Sequence, residues 1–401
     1  MGARETALNA LIACRKSGAW PNAALKEYIA RDRLSQRDAA LATRLCYGVL
    51  QNRGKLDFYL SQLLTGRLKD LHPVVRDILH LGLYQIYELD KVPESAAVNE
   101  SVTLAKKYCK NPKAGALVNA VLRRAAAGKG SLREPVSYAD RYSHPDELIS
   151  LLKANLPKGK LEPMLIADNA APQTVVQVNT LRISMEALAQ RLEQEGVCAQ
   201  MHRWMPDCLV LSGTGSLEQL PSFREGLFYV QDPAAKLSVL CAQLPEAGGN
   251  VLDCCAARLG LTNITARQQD ASLLVPEWAG RMDAVIADVP CSGLGIIRKK
   301  PDIRYKNLEE LDTLPALQLK ILETQSSYVK PGGTLLYSTC TVLKRENEDV
   351  VSTFLADHGE FTAEPLTLPE IIPKNETGML TLIPGEYDTD GFFICRLRRK
   401  T

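Results

Sequence analysis

The sequence contains no CxxC pair, although eleven cysteines are scattered along its 401 residues. That excludes a CxxC-type redox motif and argues against a disulfide framework. Five histidines form no HExxH motif and no Cys/His cluster, so no metal site is expected. No apolar run reaches the ~18 residues that a membrane span requires, and no secretory leader is visible. A soluble, cytoplasmic chain is expected, as a monomer. Internal repeats and low-complexity segments are missing too. The last absence is local. VLDCC (251–255) begins like the first strand of a nucleotide-binding α/β domain, yet no glycine-rich turn follows it. Ala257 runs straight into Arg258-Leu259-Gly260-Leu261.

What is present suggests more than one domain. The length exceeds a typical single domain, and 46% apolar residues can fill sizeable cores. The net charge is only +2, but residues 1–130 carry 21 Lys+Arg against 11 Asp+Glu, whereas the remainder carries 27 against 35. A basic N-terminal third fits an anionic partner such as nucleic acid, and equally a solvated helical surface. Residues 1–128 read as all helix. Leu8, Leu11 and Ile12 form one helical stripe, and Leu41, Leu45, Val49 and Leu50 another. Pro21, Gly54, Pro73, Pro93 and Pro112 punctuate the periodic segments. AAAGKGSLREP (125–135) reads as a linker.

Residues 129–245 read as a small α+β region after that linker. VVQVNTL (175–181) and CLVLSG (208–213) are its strands, and SMEALAQRLEQEG (184–196) is an amphipathic helix stopped by Gly196. Residues 246–401 read as a Rossmann-like α/β domain. VLDCC, DAVIADV (283–289) and GTLLYSTC (333–340) are short apolar runs suited to a parallel sheet buried on both faces. KRENEDVVSTFLADH (344–358) reads as one helix and GFFICRLRR (391–399) as a final strand.

Two of those strand ends carry a cysteine. One is Asp288-Val289-Pro290-Cys291-Ser292-Gly293, and the other is Ser338-Thr339-Cys340. Ends of neighbouring strands in an open α/β sheet face one crevice, so Cys291, Cys340 and Asp288 are expected together. A lone cysteine is more often a small buried apolar residue. Two at strand ends, one beside an aspartate and a proline–glycine turn, favour chemistry. Covalent attack on a pyrimidine fits. A thiolate adding at the 6-carbon makes the 5-carbon nucleophilic enough to take a methyl group. A carboxylate can hold the ring's polar edge meanwhile. The base must be single-stranded or flipped out to arrive there.

PCSG (290–293) with Asp288 before it, and STC (338–340), resemble the paired-cysteine motifs of the RNA 5-methylcytosine methyltransferases. VQDPAA (230–235), VLDCCAA (251–257), IIRKKPDIRY (296–305), KPGGTLLYSTCTVLKRENEDVV (330–351) and DGFFICRLRR (390–399) match in the same order. The resemblance is greatest to the Sun or RsmB type, which acts on small-subunit ribosomal RNA and carries a NusB-like helical domain. RDAALATRLCYGVL (37–50), VPESAAVNESVTLAKK (92–107) and VNAVLRR (118–124) look like that domain. The resemblance implies Cys340 as nucleophile, Cys291 as an aid to product release and Asp288 at the base or cofactor. It implies S-adenosylmethionine held by Asp253, Cys255, Ala256, Ala257, Asp270 and Asp288, with Asp270 at a strand end near the adenine. Asn179, Arg182 and Asp232 would shape the site. Arg298, Lys299 and Lys300, with Asn179 and Arg182, would contact RNA, although a basic loop can equally be mere solvated surface.

The sequence departs from the family at the turn after VLDCCAA. Pro-Gly-Gly-Lys, a helix, a second strand ending in a ribose-binding acid and another helix are expected there, and none is present. The loss is on the order of 30–40 residues, about one βα unit and a helix. ITARQQD (264–270) then resembles the family's third strand. A parallel crossover needs roughly a dozen residues, so strands 251–255 and 264–269 cannot pair in parallel with a covering helix between them. A sheet one strand short and locally uncovered is expected, or 258–269 docks irregularly or antiparallel. Two functions stay open: an rRNA cytosine methyltransferase, and an RNA-binding protein with a NusB-like domain and an inactive body.

Overall fold

The computed structural model describes residues 2–17, 19–244, 248–253, 265 and 267–401. Two compact units divide it, Met1–Leu151 and Leu152–Thr401. The first is helical: α1 (Ala3–Ser17), α2 (Pro21–Arg31), α3 (Gln36–Gln51), α4 (Arg53–Leu63), α5 (Pro73–Glu88), α6 (Glu94–Tyr108), α7 (Lys113–Ala127) and a short α8 (Tyr138–Tyr142). Pro21 and Pro73 open their helices, where a missing N–H costs nothing. Ser35 starts α3 by accepting the Asp38 amide at 3.2 Å. α5 is the central helix, because Val74, Val75, Ile78, Leu79, Leu81, Leu83 and Ile86 bury it on every side. Each such side chain contributes about 1.5–3 kcal/mol of burial. Gly82 lets Leu122 of α7 sit against that backbone; a Cβ there would lie 2.4 Å from a Leu122 methyl.

Two expectations fail in this unit. Gly54 is no boundary: it is the second residue of α4, and the break falls at Asn52. Ala125–Ala127 of the expected linker complete α7. The rest of the linker is pinned to α4, through Gln62 Nε2 to the Arg133 carbonyl at 3.1 Å and Tyr59 to Glu134 at 2.8 Å.

In the second unit, α9 (Asp146–Asn155) reaches in from the boundary and α10 (Leu161–Asn169) leads to a four-stranded sheet. Its strands are β1 (Thr174–Val178), β2 (Cys198–Met201), β3 (Cys208–Ser212) and β4 (Phe228–Val230), in order β2-β3-β1-β4 with every pair antiparallel. α11 (Met185–Gln194) is capped by Ser184, and α12 (Pro221–Arg224) precedes β4. Alternation along β1 serves two cores. Val176 and Val178 pack with Leu188 and Leu192 of α11, while Val175 packs with α13 (Pro233–Cys241) and the larger sheet.

The larger sheet contains β5 (Val251–Asp253), β6 (Met282–Asp288), β7 (Val329–Thr339), β8 (Phe361–Ala363), β9 (Met379–Leu382) and β10 (Phe392–Arg399). Its order is β5-β6-β7-β10-β8, with β9 also on β10. β5, β6 and β7 run parallel, and β10 is antiparallel to β7. Val285, Ala287, Leu335, Tyr337 and Phe393 face α14 (Leu314–Ser326) and α15 (Glu348–Asp357); Ile286, Leu336 and Ile394 face the side of α13. Burial on both faces explains the unbroken apolar runs.

Here too the structure corrects the sequence reading. Residues 344–358 are not one helix: a 3₁₀ turn at 344–346 is separated from α15 by Asn347 at φ −112°, ψ −99°. The third strand read into ITARQQD is absent where it can be checked, since Thr265 and Arg267–Asp270 form no strand. Among the described residues β5 is an edge strand, and Val251 is 41% exposed. Cys254 and Cys255 of VLDCC, and the expected irregular docking of 258–264, lie outside the described residues.

Candidate functional site

β6 and β7 end side by side. Asp288 is in register with Ser338, and the Val289 amide donates to the Ser338 carbonyl at 3.1 Å. Beyond the strands, the loops at 290–295 and 340–343 stay laced together. Gly295 N donates to the Cys340 carbonyl at 3.0 Å, and the Ser292 and Thr341 hydroxyls are 2.7 Å apart. Gly391 N reaches the Gly295 carbonyl at 2.7 Å, a contact so close that a Cβ on Gly295 would lie 2.2 Å from the Gly391 oxygen. This lacing brings Cys291 Sγ within 3.0 Å of Cys340 Sγ, and the Cys340 amide points at Cys291 Sγ from 3.3 Å.

The two thiols are electrostatically unequal. Hydrogen bonding from Cys291 pulls Cys340 below the ordinary thiol value, against burial and Asp288, and Lys300 assists. The same shared proton, with burial and the Cys340 and Glu346 charges, holds Cys291 well above it. With one proton shared between two sulfurs, Cys340 is the thiol that ionises more readily. Other thiols behave as structural ones do: burial pushes Cys208 up to about 11 and Cys241 up to about 12. Asp288 accepts from the Ser338 hydroxyl at 3.0 Å. As a whole the residue is exposed at the strand end. Burial raises its carboxyl, the Ser338 hydroxyl opposes that rise and Asp253 adds to it.

Sequence reasoning missed the support behind Cys291. Glu346 is fully buried, and its Oε2 accepts from Ser292 N at 2.8 Å and from Gln318 Nε2 at 2.9 Å. Gln318 also donates to the Pro290 carbonyl at 2.9 Å. Neither residue is singled out in the sequence. The signal available was an acid six residues after Cys340.

The cofactor candidates separate. Asp253 and Asp288 end adjoining parallel strands, where Asp253 is in register with Ile286. Two carboxylates there fit the ammonium of an amino-acid end next to a positively charged sulfonium. Cys255, Ala256 and Ala257 lie outside the described residues. Asp270 does not close a strand. It is exposed and caps its own turn, accepting from Ser272 N at 2.9 Å, a bond that lowers its carboxyl.

The basic candidates separate as well. Lys299 bonds Asp232 at 2.8 Å and Asp390 at 2.7 Å, and Arg298 bonds Asp390 at 3.2 Å. These two side chains are held by internal carboxylates, which opposes the phosphate-contacting role. Lys300 is exposed and electrostatically felt by Cys340. Asp232 also caps α13. Asn179 donates to the Gly226 carbonyl at 2.9 Å and Arg182 to the Glu225 carbonyl at 2.6 Å, so both brace the turn before β4.

The sequence was compared with known proteins and families. Residues 1–127 match the NusB family, 144–218 the ferredoxin-like domain of RsmF/B-like methyltransferases, and 239–398 the 16S rRNA methyltransferase RsmB/F family. A probable ribosomal RNA small subunit methyltransferase B of Synechocystis is 33% identical, the match covering 100% of each chain over 450 positions. Its counterpart from Bacillus subtilis is 31% identical over 99% of this chain and 98% of its own. The crystal structure of PH0851 superposes with a TM-score of 0.79 at 23% identity, covering 98% of both chains. A methyltransferase homolog protein from Pyrococcus horikoshii gives 0.53 at 23% identity, covering 65% of this chain and 97% of its own. At those identities the two structures speak to fold alone.

Proposed function

Because the chain belongs to the ribosomal RNA small subunit methyltransferase B family, we propose that it methylates the 5-carbon of a cytosine in small-subunit rRNA through a covalent adduct to Cys340. The observation that carries this reading is the pair of thiols 3.0 Å apart at two parallel strand ends, beside Asp288. The Cys340 thiolate adds to the 6-carbon of the base, forming a C–S bond and leaving electron density on the 5-carbon. Once the 5-carbon is methylated, loss of its proton returns the electron pair and breaks the C–S bond. Cys291 stands where it can exchange a proton with the departing sulfur. Asp288 holds the ring nitrogen or the amine edge. S-adenosylmethionine, when bound, would supply the methyl group as an electrophile, with Asp253 holding its amino-acid end while Asp288 holds the base.

The test is an adduct with RNA bearing 5-azacytidine, in the presence of the cofactor. A slower-migrating protein–RNA band is expected from the native chain and from Cys291→Ala, and none from Cys340→Ala. An equal band from Cys340→Ala rejects the assignment.

A second reading has one specific observation behind it. The Synechocystis match extends over 450 positions, whereas this chain has 401 residues and passes from Ala257 to Arg258 without the glycine turn or ribose acid. On that reading the chain holds rRNA without turning it over. Equilibrium dialysis with labelled S-adenosylmethionine separates the two: retention supports catalysis, and its absence alongside intact RNA binding supports the second.

A further inference from the structure

We propose that Glu346 is the positioning residue that divides the roles of the two thiols, standing behind Cys291 so that this sulfur stays a neutral donor while the charge rests on Cys340. The meaning of that division depends on the methyl-transfer reading, but its test does not.

Glu346 grips the backbone on both sides of Cys291. It accepts the amide of Ser292, the residue after, and holds Gln318, whose Nε2 also reaches the carbonyl of Pro290, the residue before. Its own position is fixed by the Tyr337 hydroxyl, which donates to the Glu346 carbonyl at 2.6 Å. One oxygen, Oε2, does this work. The other, Oε1, is fully buried and receives no hydrogen bond among the described residues. A merely structural acceptor is served as well by an amide, and a buried carboxylate with a bare oxygen carries a desolvation cost that structure alone does not explain. The charge has a use here. A thiolate on Cys291 would meet that charge, held at the amide of the next residue.

The remaining groups around the pair agree. Lys300 favours charge on Cys340 and Asp288 opposes it. Lys306 is occupied by the Ser292 carbonyl at 3.1 Å. Tyr337, on the buried side, has its own ionisation pushed far up, chiefly by burial. Glu346 is therefore a carboxylate that weighs on Cys291.

The experiment is iodoacetamide labelling of the full chain, read at Cys291 and Cys340 by peptide mass spectrometry across a pH series. In the native protein Cys340 should label first and Cys291 only at higher pH. Glu346→Gln keeps an acceptor for Ser292 and removes the charge. It should raise Cys291 labelling at about pH 8 by roughly tenfold, the effect of about one pKa unit. Glu346→Asp should behave like the native chain. Fully buried Cys395 reports on folding and should stay unlabelled. Cys291 labelling before Cys340 in the native chain overturns the proposal, whether or not the variants fold. So does a Glu346→Gln rate within about twofold of native, or a rise shared by Cys395. Labelling needs neither RNA nor cofactor, so failure of methyl transfer leaves the result standing.

Discussion

Lys299 shows what one residue does to the acids around it. Its ammonium joins Asp232, the cap of α13, to Asp390, two residues before β10. Burial works against its charge, but the two carboxylates outweigh burial and raise it above the usual lysine value. Asp390 is raised in turn, first by burial and then by Asp232. Removing the ammonium leaves two acids facing each other. Lys299→Ala should therefore destabilise the chain by about 2 kcal/mol in urea unfolding at neutral pH, less than a fully buried pair because a third of the side chain reaches solvent. The sign of the pH effect follows from a raised folded value. The stabilisation is complete below the ordinary lysine value of 10.5 and is lost as pH rises through the higher folded value. The native chain should lose this increment only above that point, and Lys299→Ala should show no corresponding loss.

The element scale explains why the thiols meet. Two loops leave neighbouring parallel strands, and three contacts fix their separation: Gly295 to Cys340, Ser292 to Thr341, and Gly391 to Gly295. The last has no room for a side chain, because the obstructing atoms are backbone. Gly295→Ala should cost about 1–3 kcal/mol from overpacking, visible as a lower melting temperature. It should also slow adduct formation, since the PCS loop must shift. A native rate with a lowered melting temperature would show that the loop relaxes without moving Cys291. Asn347 is the companion device. Its side chain accepts from Thr339 at 2.6 Å and donates to the Thr341 carbonyl at 3.1 Å. Those bonds interrupt what the sequence offers as a continuous helix and leave Glu346 in a tight turn behind the PCS loop.

At the scale of the whole molecule, charge and fold divide differently along the chain. Residues 1–130 hold the excess of Lys and Arg, while the thiol pair lies far along the sequence in the second unit. RNA affinity of the full chain should then fall steeply with salt, by at least about tenfold between about 50 and 200 mM, as release of three or more counterions requires. Filter binding measures this, and Cys340→Ala should give the same slope, since the thiol contributes no charge to phosphate contact. A flat dependence would place recognition outside the basic segment.

Period and motif determined much from the sequence alone. The helical stripes of residues 1–128, the apolar runs of β6, β7 and β10, and the two cysteines after strand ends were all legible, because each is a local pattern with one physical meaning. The 3.0 Å approach of the thiols was not, since it depends on backbone contacts made by Gly391, about a hundred residues beyond Cys291. Nor was the fate of the basic triplet: Arg298 and Lys299 look like phosphate ligands until Asp232 and Asp390 arrive from elsewhere in the chain. Glu346 and Gln318 are not singled out by the sequence, because their partner is the backbone around Cys291, which no periodicity reports. Composition and spacing name the candidate groups. Only the tertiary structure decided their ionisation, because a thiol or a carboxylate takes its charge from what is packed against it.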